Sequence, residues 1–268
     1  MFKRAIIFIS FTFVLTWGFW WLLALLTHHD ITSFESALSI LLLFMGGIGP
    51  TIGAYVAILA TDKKDLKEFH SKVLKIEVNY KYFLFAFLVP VLLGVLGISM
   101  AFIIDREFFI NNPIGPLYFF IPSIASAIIF GGIEELGWRG VLQPELFKVC
   151  KNIFLINLII GVVWALWHLP LFYIQGSNHF GNSFLAYTLT AIGFSSFLTW
   201  LYDKTKSVLL CVLFHASINA TMAVGLSVPM NETLPNIAQG ALILFLGTVL
   251  LLKRRVHYIN FNKKMTLK

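Results

Sequence analysis

The chain has 268 residues, 58% of them hydrophobic and 12% charged, with a mean hydropathy of +0.84. A soluble domain carries about 25% charged residues, so this composition excludes an ordinary water-soluble fold. The net charge of +7 would suit a nucleic-acid binder, but it lies in the loops between apolar runs rather than on one basic face.

Crossing a bilayer takes about 20 apolar residues, and runs of that size recur along the whole chain. They predict an all-α, polytopic transmembrane bundle of about eight spans, near 5–26, 37–60, 82–104, 117–140, 153–174, 183–202, 207–226 and 236–252. The first run follows Lys3 and Arg4 as a signal peptide would, yet it is too long for one and ends in Thr27, His28, His29 and Asp30 without a small-residue cleavage pattern. A retained first helix is expected. Span two contains Gly46-Gly47-Ile48-Gly49-Pro50, but span six offers no matching interruption of the kind an inverted-repeat transporter would show. The loops are short, so residues 1–268 read as a single membrane domain whose chemistry must lie in the helices or at their mouths.

Cytoplasmic loops of membrane proteins are enriched in Lys and Arg. With the N-terminus inside, the predicted layout places 19 of the 20 basic residues on the cytoplasmic side and leaves Arg106 alone outside. Both termini are therefore expected in the cytoplasm, in a multi-pass protein of the cell membrane. The positive charge is accounted for by topology, and a nucleic-acid partner loses its support. Cys150 and Cys211 form no disulfide framework or metal-type pair and read as packing residues.

Ionisable residues inside spans are costly and usually face a protein interior. Here they fall on three helices: Glu134, Glu135 and Arg139 in span four, His168 in span five, and His215 with Asn219 in span seven. Glu135 and Arg139 are four apart and can pair on one helix face. Glu134 is turned by about 100° and has no such partner on its helix. His168 and Glu134 each lie 17 residues from Lys151, so a hairpin turning there would set them side by side, although Pro144 should kink or break the connection. His215 and Asn219 share a face, with His215 roughly 13 Å in from the cytoplasmic end of its span. One polar pocket among spans four, five and seven follows. His28, His29, His70, His179 and His257 fall in loops or tails and read as solvated.

A carboxylate and a histidine sharing a water can deprotonate it and later protonate a leaving amine. A second histidine beside an amide can donate to a developing oxyanion. The set suits peptide-bond hydrolysis, and no GxSxG or HExxH pattern points to a serine nucleophile or a zincin.

At these same residues the chain resembles a known family. Glu134-Glu135-Leu-Gly-Trp-Arg139, Trp164-Ala-Leu-Trp-His168 and His215-Ala-Ser-Ile-Asn219 are similar to the EExxxR, FxxxH and HxxxN/D motifs of the CPBP family of intramembrane endopeptidases. That family includes type II CAAX prenyl proteases and Abi or bacteriocin-immunity proteins. The resembling core spans about 117–226. The resemblance implies that Glu134 and His168 activate water, that His215 and Asn219 hold the oxyanion, and that Glu135 and Arg139 support them. Trp164 stands where the second motif has Phe and is expected to pack or wall the pocket.

The resemblance implies either a glutamate mechanism without a cofactor or a metal mechanism. If zinc is used, Glu134, His168 and His215 are its candidate ligands, but a His215 that donates to the oxyanion is not free to bind metal. The expected activity is endoproteolysis of a peptide or membrane-protein substrate near the cytoplasmic half of the bilayer. It would serve CAAX-type processing, bacteriocin self-immunity or peptide signalling. A non-catalytic scaffold or immunity protein, and a proton-coupled transporter, are the competing readings.

Overall fold

The computed structural model describes residues 2–265, with side chains through Lys253; the side chains of His257 and of the basic residues beyond Lys253 lie outside what is described. The elements in chain order are helices α1 (Lys3–His28), α2 (Ala37–Gly47), α3 (Gly49–Leu59), α4 (Asp65–Val73), α5 (Tyr80–Ile104), α6 (Phe108–Asn111), α7 (Phe120–Phe130), α8 (Glu135–Gly137), α9 (Gln143–Val149), α10 (Ile153–Trp167), α11 (Phe184–Thr205), α12 (Val208–Ala223) and α13 (Thr233–Met265). No strand occurs among the described residues. The chain is a polytopic helical bundle.

Among the described residues, seven segments are long and apolar enough to cross a membrane. The eighth expected span, α12, has only 16 residues, about 24 Å at 1.5 Å per residue, which is short of a 30 Å hydrocarbon core. Leu210, Cys211, Phe214, Ala216 and Ser217 on it are wholly buried. A helix enclosed by protein has no need to match the bilayer thickness, and α12 packs between α5 and α7. It ends where Gly225 adopts φ +73°, a left-handed turn that glycine accepts without steric cost.

Small residues set the helix contacts, as expected where lipid supplies no hydrophobic drive between helices. A Cβ on Gly193 of α11 would stand 2.8 Å from Ile243 of α13, and one on Gly247 would stand 2.7 Å from Ser196. Span two is broken at Ile48 into α2 and α3, with Pro50 in the first turn of α3, where its missing N–H costs nothing. The carbonyl of Gly46 at this break accepts from Thr16 Oγ1 at 2.7 Å.

Span four departs most from a plain helix. It extends over Leu117–Val149, and α7 stops at Gly131, followed by a 3₁₀ turn at Gly132–Glu134, the short α8, and a π turn at Trp138–Leu142. Pro144 does not break the connection as expected from the sequence. It falls in the first turn of α9, just after the π turn, where proline is tolerated.

The bundle has two distinct ends. At one, Arg4 pairs with Asp65 at 2.6 Å and lies 3.6 Å from Glu145, Lys75 donates to the Thr205 carbonyl at 2.9 Å, and Lys206 lies over Phe147. At the other, Gln175 meets His28, Asn112 donates to Glu232 at 3.0 Å, and the Gly115 N–H donates to the Val224 carbonyl. Arg106 lies over the Phe102 ring near this second end.

Candidate active site

The broken stretch of span four places two adjacent glutamates against different partners. Glu135 is wholly buried. Its Oε2 accepts from Arg139 at 2.9 Å and its Oε1 lies 2.9 Å from His215 Nδ1. Arg139, equally buried, also donates to Ser195 Oγ at 2.9 Å and to the Ser195 carbonyl at 3.3 Å. One carboxylate thus joins span four to α12, and its cation continues the link to α11. The expected pairing of Glu135 with Arg139 is present, and His215 and Ser195 enlarge it.

Glu134 points elsewhere. Its Oε2 accepts from Trp164 Nε1 at 2.9 Å and, more weakly, from Trp138 Nε1 at 3.4 Å. The expectation that Glu134 has no partner on its own helix is corrected by Trp138, four residues on. Trp164 lines the cavity as a wall, as expected, and in addition its indole N–H is a donor, which the phenylalanine of the usual motif would lack.

His168 Nδ1 lies 2.9 Å from the Trp164 carbonyl. A carbonyl can only accept, so Nδ1 carries the proton and a neutral ring leaves Nε2 as an acceptor. His215 Nδ1 lies 2.9 Å from Glu135 Oε1, which leaves Nε2 as its remaining ring nitrogen. Trp164 stands edge-on to both rings, with centroids 5.7 Å from His168 and 5.2 Å from His215.

Asn219 completes the set from the next turn of α12. A Cβ on Gly131 would collide with Asn219 Nδ2 and stand 3.4 Å from His215 Nε2. Only glycine therefore lets the end of α7 approach this pair. Glu134, Trp164, His168, His215 and Asn219 all line one cavity of about 830 Å³. Glu135 and Arg139 stand behind it and do not line it.

Three neighbours were not anticipated. His179 is not the solvated loop residue expected. It is half-buried and lines the cavity, with its ring stacked 6.3 Å from His168 and packed edge-on against Phe172 and Tyr187. Burial lowers its pKa to about 4, so the ring is neutral near pH 7. Ser195 was missed because a hydroxyl in a membrane helix carries no signal of its own. Tyr187 was missed because it reads as one more aromatic residue in an apolar run. Asn178 and Asn182 before α11 and Met230 and Asn231 before α13 also line the cavity.

A zinc ion would need Glu134, His168 and His215 to converge. Among the described residues no three His, Cys, Asp or Glu side chains are grouped to hold a metal ion, and Glu134 Oε2 is already committed to two indole donors.

Comparison with known proteins bears on the same region. The family model described as Type II CAAX prenyl endopeptidase Rce1-like matches residues 116–221. CAAX prenyl protease 2 from Methanococcus maripaludis is 26% identical over 266 residues, covering 95% of this chain and 92% of that protein.

Removing one member of a buried ion pair leaves the other uncompensated, at a cost of about 3–5 kcal/mol. Arg139→Met should destabilise the folded protein by that order, and adding Glu135→Leu should recover part of the loss, as read by thermal unfolding in detergent. The low pKa of His179 has a signed consequence. Free histidine titrates near 6.5, so between about pH 4 and 6.5 the unfolded chain binds the extra proton, and stability falls as pH drops through that window. The fall between pH 7 and 5 should be smaller in His179→Gln, measured by the same unfolding assay.

Proposed function

We propose that the chain, which is similar to type II CAAX prenyl endopeptidases over residues 116–221, is an intramembrane endopeptidase of the CPBP family and hydrolyses a peptide bond in a membrane-associated or peptide substrate. Glu134 and His168 activate the water, and His215 and Asn219 hold the oxyanion. What supports this most is the division between adjacent carboxylates. Glu135 is consumed by Arg139 and His215, whereas Glu134 faces the cavity and is held only by indole N–H groups.

In the proposed cycle Glu134 takes a proton from water, and the resulting hydroxide adds to the scissile carbonyl carbon. The neutral His168, its Nδ1–H fixed on the Trp164 carbonyl, offers Nε2 to orient that water. The carbonyl oxygen becomes an oxyanion, which accepts hydrogen bonds from His215 Nε2–H and Asn219 Nδ2–H. For His215 to donate there while Nδ1–H bonds Glu135, the ring carries both protons; Glu135 balances Arg139, and the Glu134 carboxylate, then the oxyanion, balances the ring. Collapse of the intermediate breaks the C–N bond, and the proton held on Glu134 passes to the leaving amine. Trp164 and Trp138 fix the Glu134 carboxylate in place.

The test is hydrolysis of a quenched apolar peptide by the purified protein. Glu134→Ala and His168→Ala should abolish cleavage. Asn219→Ala should lower kcat by roughly 10²–10³, the usual effect of removing one oxyanion donor. Trp164→Phe should lower it by about tenfold, in line with the loss of one hydrogen bond to a charged group. Cleavage at the wild-type rate in Glu134→Ala would overturn the mechanism, and a protein in which none of these variants changes its phenotype is a scaffold.

A further inference from the structure

We propose that the Tyr187 hydroxyl is a third ligand of the hydrolytic water: it donates to the water oxygen while Glu134 and His168 accept from the two water hydrogens. This rests on the proteolytic reading above and adds to it a catalytic residue from α11, a helix that carries none of the three motifs.

Three polar atoms of cavity-lining residues have no hydrogen-bond partner among the described residues. Glu134 Oε2 accepts from both indoles, which leaves Oε1 over. His168 Nδ1–H is spent on the Trp164 carbonyl, which leaves Nε2 as an acceptor. The third atom is the Tyr187 hydroxyl, on a side chain that lines the same cavity as Glu134 and His168. None of the three is sealed off inside the protein. A tyrosine hydroxyl in apolar surroundings usually finds a partner, so the contents of the cavity have to supply this one.

Packing brings the phenol to the reacting side of His168. Its ring stands edge-on to His168, Phe172 and His179, with centroids 5.3, 5.5 and 5.4 Å away. These contacts use the ring and leave its oxygen uncommitted. The charge of Glu134 acts on that oxygen, so the hydroxyl stands within the influence of both groups proposed to activate water.

The donors and acceptors match one water molecule. Glu134 Oε1 and His168 Nε2 accept from its two O–H groups, and the neutral phenol donates to one lone pair. The second lone pair is left for the scissile carbonyl carbon. Two acceptors alone would hold the hydrogens and leave the lone pairs unaimed. As Glu134 removes the proton, negative charge gathers on the water oxygen, and a hydrogen bond to an ionised acceptor is roughly twice as strong as a neutral one. Tyr187 therefore contributes more in the transition state than in the ground state, which acts on kcat rather than KM. The phenol keeps its own proton throughout, so the proton balance of the cycle is unchanged.

Tyr187→Phe removes the oxygen and keeps the ring. In the purified full-length protein, hydrolysis of the quenched apolar peptide should show kcat lowered by at least about tenfold, with KM and the unfolding temperature close to wild type. Tyr187→Leu, which also loses the ring contacts, should lose at least as much kcat and unfold at a lower temperature. Tyr173→Phe serves as the control, because Tyr173 packs on Trp21 and does not line the cavity; its kcat should equal wild type. A Tyr187→Phe protein with wild-type kcat, or with its whole loss in KM, would overturn the assignment. Either result would leave the hydrolytic reading standing, since that reading fails only if Glu134→Ala or His168→Ala cleaves at the wild-type rate.

Discussion

The carboxylate of Glu135 is the constraint around which the rest is arranged. Wholly buried, it is tolerable only if both oxygens are satisfied, and it meets that condition by joining Arg139 on its own segment to His215 on α12. Arg139 in turn directs its Nη2 to Ser195 of α11, while its Nε has no hydrogen-bond partner among the described residues. Three helices that lipid would let drift are thereby fixed in register. The histidine so fixed keeps its second nitrogen toward the cavity, beside Asn219. A structural requirement, neutralising one buried charge, therefore orients the group proposed to stabilise the oxyanion.

Glu134 depends on the same backbone. Had span four continued as a regular helix, adjacent glutamates would diverge by about 100° without a reason for one to face a cavity. The stop at Gly131 and the 3₁₀ turn after it bring the backbone against Asn219 and Val212, and the π turn that follows is the kind of irregularity found at functional sites. Trp164 ties the arrangement together. Its indole N–H holds Glu134, its carbonyl holds His168, and its ring separates the two histidines.

What could be read from the sequence follows the cost of each group in a membrane. Glu134, Glu135, Arg139, His168 and His215 stand out because ionisable residues in apolar runs are rare and expensive, and they prove to be neighbours. The helical spans are legible for the same reason, since their apolar runs are long. The hydropathy of span seven looks like the others, so it could not reveal that α12 is short and enclosed. The breaks in span four are invisible because hydropathy does not record backbone geometry. Ser195, Tyr187 and Trp138 carry no such cost and give no signal. His179 was misread because its burial comes from tertiary packing on His168 and Tyr187, not from its place in an apolar run.

The account assigns the two adjacent glutamates different work, and isosteric replacement separates them. Cleavage and thermal unfolding should be measured side by side for purified Glu134→Gln and Glu135→Gln. The predicted result is that Glu134→Gln abolishes cleavage with its unfolding temperature close to wild type, while Glu135→Gln lowers the unfolding temperature. Retained cleavage in Glu134→Gln, or an unfolding temperature in Glu135→Gln equal to wild type, would contradict that division.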